Sequence, residues 1–208
     1  MAKTTKIALP DRWLSANDTL TSGITKVDPS LPIAKIVEQV SADGVRYRTV
    51  IEVNGLQKAI GSDAALGFGE HIASFPVGII KPVAGYVSLS STTASGLSAT
   101  AGEVGLGSTI ASGAIATLGA GSAAMENLME GTTLANHVAD TELRSRKANN
   151  AVANAGAAFG TAVLNGSGTA VKVHLNLAST WNQTAAESVT FSGRVILDWI
   201  YVGVGDEV

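Results

Sequence analysis

The sequence predicts an all-β chain: an antiparallel, jelly-roll-like β-sandwich with one or two short helices and an extended N-terminal arm. Several stretches alternate apolar and polar residues at period two, the mark of half-buried strands. Glycine is abundant, 23 residues among 208, and lies between short apolar runs, so turns are frequent and helices few. The length suffices for one sandwich with its own core. The expected division is an arm over residues 1–43 and a β-sandwich domain over residues 44–208.

The arm contains Pro10, Pro29 and Pro32, scattered charges and little periodicity. Its expected order comes from packing against a neighbour. Trp13, Leu14 and Leu20 are its apolar anchors, for a partner or for the chain's own sandwich. Residues 33–40 alternate weakly, as a possible strand.

After the turn Ala42-Asp43-Gly44, Val45, Tyr47, Thr49, Ile51 and Val53 alternate with Arg46, Arg48, Val50, Glu52 and Asn54. Asn54-Gly55 then offers the positive φ angles of a type I′ turn, so residues 56–60 are expected to return as a hairpin. Residues 66–75 are rich in glycine and aromatics and end at Pro76; a strand over 83–89 follows Pro82. Short strands are expected over 103–107 and 114–118. Ser122 is placed to cap a helix over 123–130, closed by Gly131. Residues 139–149 read as a second helical turn or a loop.

Towards the C-terminus, Val171, Val173, Leu175 and Leu177 alternate with Lys172, His174 and Asn176. Val189, Phe191, Gly193, Val195, Leu197, Trp199 and Tyr201 form the apolar face of a long last strand, and the two strands are expected to pair as a hairpin. The other face of the last strand turns apolar midway, at Ile196, Ile200 and Val202. Those three side chains need cover, from an internal segment or from a subunit interface.

Two of these segments resemble virion proteins encoded near the major capsid gene of tailed bacteriophages. The first runs from Leu66-Gly67 through Phe75-Pro76-Val77-Gly78-Ile79-Ile80 to Val83-Ala84-Gly85-Tyr86-Val87-Ser88-Leu89. The second is Val104-Gly105-Leu106-Gly107-Ser108, then residues 171–178, Trp181 and the strand to Trp199. The resemblance covers about residues 66–208 and consists of turn-and-strand patterns. It implies a capsid decoration (cement) protein on the outside of the shell, with the major capsid protein as partner and a homotrimer as its assembly. It implies no catalytic residues and no cofactor. A head fibre, a tail component and a carbohydrate-binding jelly roll are the alternatives; Trp181, beside Asn182 and Gln183, is the one candidate sugar platform.

Composition narrows the classes further. The net charge is −3 and no basic domain exists, so a nucleic-acid partner is not expected. Arg144, Arg146 and Lys147 are the densest basic spot and read as a solvated loop or helix end. Only 15% of residues are charged, against roughly 25% in ordinary soluble domains, which suits a surface partly buried in an assembly. There is no cysteine, hence no disulfide or thiolate site, in keeping with assembly in a host cytoplasm. The N-terminus has no apolar signal core. Residues 104–125 carry no charge, but they are Gly, Ala, Ser and Thr with few large aliphatics, and read as buried protein rather than membrane.

Chemical motifs are sparse. His71, His137 and His174 have no metal-ligand spacing, and His174 falls on the polar side of its strand, where a surface position is expected. No nucleophile elbow, phosphate loop or calcium loop occurs. Gly119-Ala120-Gly121-Ser122-Ala123-Ala124 matches a dinucleotide fingerprint, with Asp140 downstream. Its flanks lack the Val/Ile-rich strand of a buried parallel sheet. The expected chain is therefore not an enzyme.

Overall fold

The computed structural model describes residues 12–15, 25–26, 33–40, 46–60, 67–93, 97–99, 102–115, 117–134, 143–149, 163–178, 181–183 and 187–203. The strands are β1 Arg12–Ser15, β2 Thr25–Lys26, β3 Ile33–Val40, β4 Arg46–Ile60, β5 Gly67–Ser74, β6 Gly78–Thr93, β7 Leu97–Ala99, β8 Gly102–Gly107, β9 Ser112–Gly113, β10 Met129–Leu134, β11 Leu143–Asn149, β12 Leu164–Gly166, β13 Lys172–Ala178, β14 Trp181–Gln183 and β15 Glu187–Gly203. A seven-stranded sheet has the order β1-β3-β4-β15-β6-β11, with β12 also on β6. A six-stranded sheet has the order β10-β8-β13-β5-β2, with β9 also on β5. Strands β14 and β7 pair by themselves. Every pairing is antiparallel, so the chain is an all-β sandwich. β1, β2 and β3 fall within residues 1–43 and enter these sheets.

The core lies between the two sheets. Ile51, Val53, Val87, Val195, Leu197 and Trp199 come from one sheet, and Ile72, Val104, Leu106, Val173, Leu175 and Leu177 from the other. Phe75 meets Trp199 edge-on at 5.3 Å, and Tyr47 stacks on Trp199 at 4.3 Å. Each fully buried large side chain contributes about 1.5–3 kcal/mol gross, opposed by the conformational entropy lost on ordering the chain. Thr49 and Glu38 are buried within this apolar layer and satisfy each other: the Thr49 hydroxyl donates to Glu38 Oε1 at 3.2 Å and accepts from Trp199 Nε1 at 2.9 Å.

Several local expectations are corrected. Asn54-Gly55 makes no hairpin: β4 runs straight through, Gly55 sits at φ +74°, and the register against β15 slips between Phe191 and Ser192. The positive φ that suits a type I′ turn equally suits a β-bulge, and the long partner β15 favours continuing the strand. The strand expected over 83–89 runs from Gly78 to Thr93 through Pro82. Pro82 faces Trp199 where the register skips Val83, a bulge that tolerates a residue without an N–H.

Strands β13 and β15 do not pair; they lie in opposite sheets and meet across the core. Alternation tells which side of a strand is apolar but not which strand lies beside it. In place of a helix over 123–130 there is one helical turn, Leu118–Gly121, and one 3-10 turn, Ala123–Met125, followed directly by β10. Ser122 does cap, accepting from the Ala124 N–H at 3.2 Å. The Leu128 N–H then bonds to the Leu106 carbonyl at 3.0 Å, and sheet pairing with β8 takes over from helix propensity. Among the described residues of 114–118 none is in a strand, and residues 143–149 are strand rather than helix, along the edge of β6. The basic residues of β11 fit the charged composition common on edge strands.

Candidate functional site

The apolar positions suggested as an interface are placed unequally. Ile196 pairs with Val50 and Tyr86, and Ile200 with Arg46 and Lys81; both are half-buried on the outer side of the seven-stranded sheet. Val202 is 55% exposed, at the register skip between Tyr201 and Gly203. Trp13 and Leu14 lie on β1, in register with Gln39 and Glu38 of β3, three strands away from β15. The structure therefore unites Ile196, Ile200 and Val202 and does not bring Trp13 and Leu14 beside them. Leu20 and His137 lie outside the described residues.

Beside β15, a depression of about 310 Å³ is lined by Gln39, Arg46, Tyr47, Arg48, Val83, Asp198 and Trp199. Arg48 crosses it to grip Asp198 with two bonds, Nε to Oδ1 at 2.7 Å and Nη2 to Oδ2 at 2.8 Å. Those bonds and the Asp198 charge hold the guanidinium even more firmly protonated than usual. Trp199 is buried and Tyr47 gives one ring face to it, so the aromatic groups here serve the core. Trp181, the expected sugar platform, belongs to the short strand β14 instead of a loop.

The outer side of the six-stranded sheet is built differently, and sequence reasoning missed it. Residues 108–125, described except for residue 116, leave β8 and fold back over that sheet. The Thr109 N–H bonds to the Ala124 carbonyl at 3.0 Å, and Ser108 and Asn127 exchange two bonds at 2.9 Å, closing the excursion at its base. Of the alternate positions of β13 that looked polar, Lys172 is exposed, but His174 and Asn176 are buried. Asn176 is fully buried under this cover: its Oδ1 accepts from the Ala111 N–H at 2.9 Å, and its Nδ2 donates to the carbonyls of Thr109 at 2.8 Å and Met125 at 2.7 Å. Ala111, Leu118, Met125 and Ala178 form a second small core between sheet and cover. Gly107 permits the contact, because a Cβ there would strike the Met125 and Ala124 main chain. The glycines of Val104-Gly105-Leu106-Gly107 thus make β8 flat enough to be overlaid.

The fingerprint-like Gly119–Ala124 segment lies inside this cover, with an antiparallel strand on either side and no βαβ unit, so it forms no dinucleotide site. His174, expected at the surface, is 5% exposed. Its ring lies 5.1 Å from that of His71, and its Nδ1 has no hydrogen-bond partner. Burial, then the neighbouring His71, push the His174 imidazole down to about 4, against a partial pull upwards from a hydrogen bond to the Gly107 main chain. His71 is also held below its ordinary value, first by burial and then by Lys172; its Nε2 is 3.0 Å from Ser74 Oγ. Two imidazoles leave a zinc ion two ligands short, and no group of three or more His, Asp or Glu among the described residues is arranged to hold a metal. No helix among the described residues is long and apolar enough to cross a membrane; the uncharged stretch over 104–125 is β8 and its cover. No protein-family model and no curated protein matches this sequence.

Proposed function

We propose that this chain is a capsid decoration (cement) protein of a tailed bacteriophage: a non-enzymatic homotrimer, without a cofactor, that binds the outside of the major capsid shell. It is made in the host cytoplasm and ends on the virion surface. The observation that carries the reading is the apolar run on β15 and its neighbour: Val202 is 55% and Val83 41% exposed, with Ile196 and Ile200 half-buried nearby. Large side chains left open together on a rigid sheet are the usual mark of a partner surface. The major capsid protein as partner rests on the resemblance of residues 66–208 to phage virion proteins in their turn-and-strand patterns.

The mechanism is interface burial. A specific contact covers on the order of 1,200–2,000 Å² in total, and bridging adjacent capsomers with such contacts raises the force needed to part them. The depression at Arg48 and Asp198 adjoins this run and supplies a polar rim.

Cryo-electron microscopy of the virion, with quantitation against the major capsid protein, tests the reading. Regular outer density at a copy number near that of the capsid subunit, with Val202 and Ile200 in the contact, supports it. A few copies at a vertex or tail, or absence from the virion, overturns it. The second arm would leave a fibre or tail part.

A further inference from the structure

Asn176 pins the cover over residues 108–125, and His174 is the next position before it on the same side of β13. His174 pairs with Gly107 on β8 and with His71 on β5. The Ala124 and Met125 main chain lies close over Gly107, so the imidazole sits at the edge of the cover. The residue is 5% exposed, and its Nδ1 meets no acceptor.

The charged and titratable groups around it are few. β5 contributes His71 and Glu70, and β13 contributes Lys172; β8 offers the Gly107 main chain beside the ring and, four residues back, Glu103, which accepts from the Leu118 N–H, while residues 108–125 contain no titratable side chain. Glu70 favours a proton on His174, while His71 and Lys172 oppose it. An imidazolium has two N–H donors, and a buried donor without a partner is costly. The closed cover therefore accepts His174 only in its neutral form. Any opening that brings water to Nδ1 relieves both the missing acceptor and the crowding with His71.

We propose that residues 108–125 form an acid-released cover, held closed at neutral pH by a neutral His174 and let go when that imidazole takes up a proton. Release exposes Leu118, Met125, Ala111 and the glycine-flattened strip of β8 while the main sandwich stays folded. Asn176 anchors the cover through a neutral amide, and the Glu103 carboxylate on β8 also holds it, accepting from the Leu118 N–H at 2.7 Å; the His174→Gln variant separates the histidine's part in the acid response from that of this carboxylate. Its working range runs from the ordinary histidine value near 6.5 downwards towards 4, which is the range of mildly acidic surroundings.

Amide hydrogen exchange on the full-length protein at pH 7 and pH 5, corrected for intrinsic rates, tests this. The reporters are the amides of Thr109 and Ala111, whose acceptors, the Ala124 carbonyl and the Asn176 side chain, do not titrate. Their protection is expected to fall by roughly tenfold or more at pH 5, with the amides of β15 remaining the better protected at both pH values. His174→Gln is expected to remove the difference between the two pH values. Undiminished protection at pH 5 would overturn the proposal, as would cover amides that exchange no faster than those of β15 at pH 5, or the same loss in His174→Gln. If that variant does not fold, the imidazole signal of His174 in the unaltered protein decides. Protonation must coincide with the loss of protection; a His174 that titrates near 6.5 under a protected cover contradicts it.

Discussion

Trp199 and Thr49 are joined by a hydrogen bond from the indole Nε1–H to the threonine hydroxyl, 2.9 Å long, in the buried layer between the sheets. They sit on neighbouring strands β15 and β4, and the hydroxyl in turn donates a hydrogen bond to Glu38 on β3. This chain of donors orients the largest side chain of the core, against which Tyr47 and Phe75 both pack.

Thr49→Val keeps the shape but leaves the indole N–H without its acceptor. It is expected to destabilise the fold by about 1–3 kcal/mol, the cost of an unsatisfied buried donor. Denaturant unfolding followed by tryptophan fluorescence measures it, and Thr49→Ser should recover most of the loss.

Asn176→Asp tests the cover. Aspartate keeps an acceptor for the Ala111 N–H but loses both donors, and turns a carboxylate oxygen towards the carbonyls of Thr109 and Met125. The expected loss is about 2–4 kcal/mol, more than a single neutral hydrogen bond contributes. Thermal unfolding of Asn176→Asp beside Asn176→Ala separates the repulsion from the lost bonds: the aspartate should be the less stable at pH 7, and the gap should narrow in acid.

Gly107→Ala forces a methyl group into the main chain of Met125 and Ala124. Neither can yield as a flexible side chain would, so the substitution should cost about 1–3 kcal/mol and loosen the cover. Gly168→Ala meets open space and serves as the control. Differential scanning calorimetry should place the control near the parent and Gly107→Ala well below it.

Acid dependence follows from His174. Its folded value, about 4, lies below the ordinary 6.5, so the folded state binds the proton less well than the unfolded chain. The contribution is fully present above pH 6.5 and is lost as pH falls towards 4, on the order of 3 kcal/mol across that range. His71 is displaced in the same direction and adds to the slope. Urea midpoints measured between pH 7 and pH 4 should fall in the parent and fall much less in His174→Gln.

Arg48 and Asp198 form a well-aligned pair, but the Arg48 side chain is 49% exposed. Arg48→Ala is expected to cost no more than about 1 kcal/mol, and half a molar salt should shrink the difference. A larger, salt-independent loss would mean that the stem of Arg48 holds the β4–β15 seam by packing.

Much of the fold was legible because β-strands announce themselves locally. The alternation of Tyr47, Thr49, Ile51 and Val53, and of Val195, Leu197 and Trp199, marked which side chains turn inward, and they are inward. Partnering was not legible. Asn54-Gly55 satisfied the rule for a hairpin and became a bulge, and β13 and β15 looked like neighbours and stand in opposite sheets. The candidate interface residues Ile196, Ile200 and Val202 were visible as a break in alternation on one strand. The covered histidine was not, because the signal that separates a surface polar face from a second buried layer lies in a segment some fifty residues away.

The sequence by itself determined the period of the main strands, the inward faces of β4, β13 and β15 and the scarcity of helix, since these depend on residues a few positions apart. Tertiary structure alone decided that His174 and Asn176 are buried. Their side of β13 reads as polar until residues 108–125 are laid over it, and that contact exists because Gly107 leaves room and Asn176 satisfies the main chain it meets.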